Sequence, residues 1–313
     1  MTERQTVAQY LASWLEMIRP TMDPSTWKRH REYVDFHIVP RLGRIRLRDL
    51  SPQVVQHLYA DRLSSGLSSS TVHHLHATLH KALKDAERLG LVARNVCKLD
   101  TAPRMAETEI HPLSREDARA LLDVASGERL EALYVVAVAT GMRQSELLGL
   151  RWTDVELDEG VLRVRMQLKR EDGEWVWKEP KTRRSRRQIA LAAPVVEVLR
   201  CHREPQEGER AQVGSAWRDC DLVFCNKYGG PLFARNLVRS FMLLLEKAAM
   251  PQIRFHDLRH TAATLLLSAR VNPKVVSEML GHASVSISLD IYSHVLPDMQ
   301  QNAAAAMAQL LFE

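Results

Sequence analysis

Residues 130–150 read Leu130-Glu131-Ala132-Leu133-Tyr134-Val135-Val136-Ala137-Val138-Ala139-Thr140-Gly141-Met142-Arg143-Gln144-Ser145-Glu146-Leu147-Leu148-Gly149-Leu150. Leu130 to Ala139 is nearly all apolar and reads as a buried helix. Thr140-Gly141 breaks it, and a second helix opens near Arg143. Glu146, three residues on, is spaced to hold the Arg143 guanidinium. Alone, the pair would be an ordinary salt bridge at a helix start. Basic and nucleophilic residues farther along the chain give it more weight.

Downstream, Val161 to Leu168 alternates apolar and polar like a half-buried strand. Asp172-Gly173 is a hairpin turn signal, Trp175-Val176-Trp177 a second strand, and Arg187 to Leu191 a third. The connection Lys178 to Arg187 holds six basic residues, Lys178, Lys181, Arg183, Arg184, Arg186 and Arg187, against one acidic residue. Such a run implies a neighbouring polyanion. Lys181 on a mobile tip can reach a leaving oxygen as general acid. The plainer alternative is that all six basic residues contact phosphates.

The last fifth carries Phe255-His256-Asp257-Leu258-Arg259-His260-Thr261, then Leu280-Gly281-His282, then Tyr292. A helical reading puts His256 and Arg259 on one face at a helix start, with Ala262 to Leu267 continuing into the core. Attack on a phosphodiester by a side-chain hydroxyl needs cations on the non-bridging oxygens, a proton acceptor and a proton donor. Arginine suits the first task, since its planar fork holds two oxygens and keeps its charge. The order of these groups points to a phosphate-handling site with a tyrosine nucleophile.

Taken together, Arg143, Lys181, His256, Arg259, His282 and Tyr292 resemble the catalytic set of the tyrosine recombinases, the phage integrase family. The stretches T-G-M-R-Q-S-E-L, P-K-T-x-x-S-x-R, H-D-L-R-H-T, L-G-H-x-S and D-I-Y-S-H look like that family's motifs in the family's order. None of the six positions departs from the pattern. The resemblance implies that Tyr292 attacks the scissile phosphate, leaving a 3′-phosphotyrosyl bond and a free 5′-hydroxyl. Arg143 and Arg259 would clamp the phosphate, and His282 would add a hydrogen bond. Lys181 would protonate the leaving oxygen, His256 would be the general base, and Glu146 would support Arg143. No metal or other cofactor is required, because the guanidiniums supply the charge stabilisation.

The 313 residues suffice for two domains, and 45% hydrophobic with 26% charged residues is an ordinary globular composition. Net charge is +5, with residues 1–105 holding 16 basic against 10 acidic residues, so the first domain carries the excess. Residues 1–97 read as a helical domain resembling the family's SAM-like core-binding domain. Its four helices are expected at Val7–Ile18, Thr26 to about His37, Gln53–Leu63 and Thr71–Leu89. Pro40 to Leu47 reads as a loop bearing Arg41, Arg44 and Arg46 as DNA contacts. Residues 98–112, with Pro103 and Pro112, read as a linker. Residues 113–313 read as a mostly helical catalytic domain with a small antiparallel sheet and a terminal helix. That helix, with Ala303, Ala306, Met307, Leu310 and Leu311 on one stripe, docks either within the chain or on a neighbouring subunit.

His73, His76 and His80 share a helix face, but no acidic or cysteine partner lies near in sequence, and a solvated or DNA-facing surface is the expectation. Cys97, Cys201, Cys220 and Cys225 show neither zinc spacing nor disulfide density and read as reduced core thiols. Met1 to Val7 is polar, and no apolar run approaches the 18 or so residues of a membrane span. The expected setting is the cytoplasm. The expected partner is double-stranded DNA at attachment or core sites. The protein would be a monomer in solution and a homo-tetramer at synapsis, with a bending or excision factor as a possible accessory. The expected activity is site-specific integration or excision of a mobile element. The alternatives are a chromosome-dimer resolvase or type IB topoisomerase with the same chemistry, or a regulator that binds DNA without cleaving.

Overall fold

Thr6 starts the first helix with a capping box: its hydroxyl accepts from the Gln9 N–H at 3.3 Å, and the Gln9 side chain accepts from the Thr6 N–H at 3.0 Å. The computed structural model describes residues 4–98, 104, 111–180, 185–281, 284, 307, 309 and 311. Contacts divide the chain into two units, Met1–Glu109 and Ile110–Glu313. The division falls inside the segment read as a linker.

The first unit is built from α1 (Val7–Ile18), α2 (Pro24–Glu32), α3 (Val39–Leu42), α4 (Pro52–Ser64) and α5 (Ser69–Arg88). α1 buries Val7, Tyr10, Leu11, Trp14, Leu15 and Ile18, the stripe its spacing dictates. α5 answers with Val72, Leu75, Leu79, Ala82, Leu83 and Ala86. Two polar anchors fix their register: the Tyr10 hydroxyl donates to the Ala82 carbonyl at 2.5 Å, and Trp14 Nε1 to Asp85 at 2.9 Å.

One boundary differs from expectation. The loop placed at Pro40 begins only after Leu42, because a π-helical turn, Tyr33–Ile38, joins α2 to α3. Pro40 has no N–H to donate, and in a tight helix its ring presses on the carbonyl four residues back; a wider turn ahead of it relieves both problems. The loop beyond is pinned to the start of α1, with the Val7 N–H donating to Ile45 and the Leu47 N–H to Gln5, both at 2.9 Å.

The second unit begins with α6 (Arg115–Ala125), α7 (Glu131–Thr140) and α8 (Gln144–Leu147). The strands come next: β1 (Val155–Glu156), β2 (Val161–Val164), β3 (Gln167–Glu171), β4 (Glu174–Lys178) and β5 (Arg187–Ala190). After the strands come α9 (Ala193–Val213), α10 (Ala234–Lys247), α11 (Asp257–Ser268) and α12 (Pro273–Leu280). α7 is the central post: Ala132, Leu133, Tyr134, Val136, Ala137 and Thr140 are all buried, with α6, α9 and α11 packed around them.

The pairing is antiparallel as expected, but the single strand read over Val161 to Leu168 is two strands in two sheets, β1-β2-β5 and β3-β4. Leu162 and Val164 point inward along β2, whereas Gln167 and Leu168 are buried consecutively. One continuous pleat alternates faces and cannot bury neighbours this way, so the chain breaks at Arg165-Met166. The β3–β4 turn is the expected one, with both Asp172 (φ 47°) and Gly173 (φ 93°) left-handed.

Cys97 and Cys225 are buried free thiols; Cys201 is exposed on α9 and Cys220 partly exposed, so the core assignment fails for those two. Exposure of Cys201 results from its place on the outer face of α9, where Val195 and Leu199 mark the inner one. The His76 ring stacks on His80 and meets the Tyr59 hydroxyl at 2.9 Å. Among the described residues, no helix is long and apolar enough to cross a membrane.

Candidate active site

The site forms where the α7–α8 turn, the start of β5, the start of α11 and the end of α12 converge. Gly141 ends α7 in the left-handed conformation (φ 60°), a geometry that costs glycine little. Arg143 then sits at the N-cap of α8, and Glu146 reaches back to it twice. The Glu146 carboxylate accepts from the Arg143 N–H at 3.0 Å and from its Nη1 at 2.9 Å. Arg143 Nη2 donates to the Gly281 carbonyl at 3.0 Å. Arg143 and Glu146 are therefore joined through both backbone and side chain.

Glu146 is 2% exposed. Burial pushes its carboxyl toward protonation, but Arg187 and Arg143 outweigh burial and hold it below the usual carboxylate value. It is a buried carboxylate between two guanidiniums.

Arg259 is a third. It lies in the first turn of α11, 5% exposed, with Nη1 donating to the Gly141 carbonyl at 2.7 Å. Its Nη2 is buried and has no hydrogen-bond partner among the described residues. Burial, then repulsion from Arg143 and Arg187, pulls its pKa down to about 9, so it remains charged at neutral pH. Three guanidiniums against one carboxylate leave a local excess of positive charge, with one buried N–H that meets no acceptor among the described residues. An anion is what such a site lacks.

His256 is the N-cap of α11, an exposed ring set edge-on to His260 with centroids 5.4 Å apart. Desolvation by its neighbours, then His260 and Arg259, lower its basicity below that of free imidazole. The shift favours the neutral imidazole, the form able to accept a proton. Asp257 behind it is buried and paired to Arg254 at 2.7 Å, which fixes the helix start.

Arg143, Glu146, Arg259 and His256 are thus brought to one place, although spacing in the sequence relates only Arg143 to Glu146 and His256 to Arg259. Lys181, His282 and Tyr292 lie outside the described residues, as do Arg183 and Arg184. Gly281, the last residue of L-G-H with described geometry, is left-handed (φ 67°) and touches Arg143. Of the remaining residues read as DNA contacts, Arg44 and Arg46 are exposed, Arg41 pairs with Asp61 at 3.1 Å, Lys178 pairs with Glu171 at 2.6 Å, and Arg186 pairs with Glu179.

Arg187 does not sit as a surface phosphate contact. Its side chain is 6% exposed and bonds Glu146 at 2.9 Å and the Met279 carbonyl at 2.5 Å. The basic run disguised it. The signal that separates it from its neighbours is strand parity: Arg187 shares the inward face of β5 with buried Ile189, while Gln188 and Ala190 face the other way. Gly141 and Gly281, whose carbonyls orient Arg259 and Arg143, are likewise site residues that sequence reasoning missed.

The model of the phage integrase family matches residues 111–299, and that of the phage integrase N-terminal SAM-like domain matches residues 6–64. A "Tyrosine recombinase XerC-like" protein of Caldanaerobacter subterraneus subsp. tengcongensis is 32% identical, over 97% of this chain and 83% of the relative. An integrase of Streptomyces ambofaciens is 31% identical, over 96% and 79%. A Tn1549 transposon integrase solved in complex with transposon right end DNA shares the fold, with a TM-score of 0.84 at 22% identity over 99% of this chain and 100% of that one. With matches to both domain models and relatives aligned along nearly its whole length, the chain belongs to the phage integrase family of tyrosine recombinases, enzymes that cleave and rejoin DNA.

Proposed function

We propose that this recombinase integrates or excises a mobile element through a covalent protein–DNA intermediate. Tyr292 attacks the scissile phosphate and holds the DNA 3′ end as a phosphotyrosyl ester; the 5′ oxygen leaves with a proton from Lys181. His256 accepts the tyrosine proton. Arg143 and Arg259 hold the non-bridging oxygens, with His282 as a further donor and Glu146 fixing Arg143. Rejoining is the same step reversed, with a 5′-hydroxyl attacking the ester. Arg41, Arg44, Arg46, Lys178, Arg183, Arg184 and Arg186 meet DNA phosphates, positioning the duplex without reading its sequence. The protein works in the cytoplasm, as a monomer in solution that assembles into a tetramer on two DNA sites.

The observation that carries this reading is the buried Nη2 of Arg259 beside Arg143, which has no hydrogen-bond partner among the described residues. A phosphate oxygen would supply it with an acceptor, and the demand grows as charge accumulates in the pentacovalent transition state. Arg259→Lys keeps the charge and loses the fork, so cleavage at saturating DNA should fall about 10²–10³-fold while binding persists. Cleavage at the wild-type rate would remove Arg259 from the phosphate clamp. A chromosome-dimer resolvase is the second reading, supported by the likeness to the XerC-like relative. Supplying the chain with sites on one dimeric circle or on two separate molecules distinguishes the two.

A further inference from the structure

Arg187 opens β5 and is enclosed almost as fully as Arg259, with a side chain 6% exposed against 35% for Arg143. Its guanidinium touches three separate segments. Nε donates to the Met279 carbonyl at 2.5 Å, Nη2 to Glu146 Oε2 at 2.9 Å, and Nη1 to the Ser185 carbonyl at 3.1 Å. Met279 lies in the last turn of α12, and two residues later the Gly281 carbonyl accepts from Arg143. Both arginines therefore hold the same helix end, where unpaired carbonyls and the helix dipole favour cations. They also share one carboxylate: Glu146 Oε1 faces Arg143 Nη1, and Oε2 faces the Arg143 N–H and Arg187 Nη2.

The packing at Gly281 adds a second mark. A Cβ there would lie 3.0 Å from Arg187 Nη1 and 3.1 Å from its Cδ. The left-handed glycine is what lets the Arg187 side chain pass against the α12 end. Each nitrogen of the fork already has an acceptor, and the group is shut away from solvent, so its chemistry is that of a brace.

We propose that Arg187 is a positioning residue for strand cleavage: it locks Arg143, Glu146 and the end of α12 that immediately precedes His282 into one unit, without contacting DNA. Because it also begins β5, it ties that unit to the strand that comes after the Lys181 connection. This rests on the recombinase reading of the site. A brace of this kind acts on the chemical step, since Arg143 and the α12 end must both be in place for the phosphate, and small displacements of catalytic groups lower rates steeply.

The test uses the full chain and a nicked duplex recovered from random duplexes by covalent capture on the wild-type protein. Adduct formation is timed at saturating duplex, and the Kd is measured separately. Arg187→Met should slow adduct formation about 10–100-fold with Kd changed less than about threefold. Arg187→Lys keeps the charge but offers one nitrogen to three acceptors, so it should bind normally and cleave about 10-fold slower. It decides the matter if the methionine variant does not fold. Combined with Glu146→Gln, Arg187→Met should add little further loss, since the two residues act as one unit. Wild-type rates at saturation in a folded variant would overturn the inference, as would a weakened Kd that accounts for the whole effect. A failure of the wild-type chain to capture any duplex would instead overturn the recombinase reading, and this inference with it.

Discussion

Glu146 sets the charge balance of the site. It is buried, paired to Arg143 at 2.9 Å and to Arg187 at 2.9 Å, and its acidity is strengthened in spite of burial. Glu146→Gln would leave two guanidiniums facing each other without a carboxylate. Breaking a buried pair by removing one partner costs about 3–5 kcal/mol, and a loss near the lower figure is expected because the glutamine amide still accepts hydrogen bonds. Urea denaturation at neutral pH measures it. The pH dependence has a definite sign. The folded-state value of Glu146 lies below its unfolded value, so its contribution is complete above the unfolded value and disappears as pH falls through the lowered folded one. The gap between wild type and Glu146→Gln should therefore close only in acid. A gap that stayed constant through that window would mean that the carboxylate charge is not what stabilises this corner.

At the scale of elements, two left-handed glycines hold the site together. A Cβ on Gly141 would lie 2.2 Å from Leu280 Cδ2 and 3.2 Å from Ala262 Cβ, so α7, α11 and α12 meet at a point that admits no side chain. Gly141→Ala should cost about 1–3 kcal/mol from strain at positive φ and from overpacking, read as a lowered Tm. The Gly141 carbonyl would shift with it and loosen Arg259. A variant as stable as wild type would show that this junction is slack. Much of this layer is legible in the sequence: α1 and α5 obey their apolar spacing, α7 is the buried helix its apolar run implies, and the Asp172-Gly173 turn obeys its residue types. The illegible part depends on partners distant in sequence. Pro40 reads as a helix end until the π turn ahead of it is seen, and Val161 to Leu168 reads as one strand because alternation does not report a change of sheet. Arg187 is hidden for the same reason, since its acceptors Glu146 and Met279 are 41 and 92 residues away.

At the scale of the whole molecule, the chain pairs a helical unit rich in basic residues with a unit that sets three of its arginines around one carboxylate. The formal charge of +5 is modest, so attraction to DNA comes from where the charge sits. The family assignment and the geometry around Arg143 and Arg259 meet in a single claim, that this site makes a covalent bond to DNA through Tyr292. The direct test is to incubate the chain with duplex fragments flanking its own gene, quench with detergent, and map the DNA-linked peptide by mass spectrometry. The account predicts one adduct, on Tyr292 and at a DNA 3′ end, absent from Tyr292→Phe although that variant still binds the fragment. An adduct on another residue, or adducts that persist in Tyr292→Phe, would contradict it.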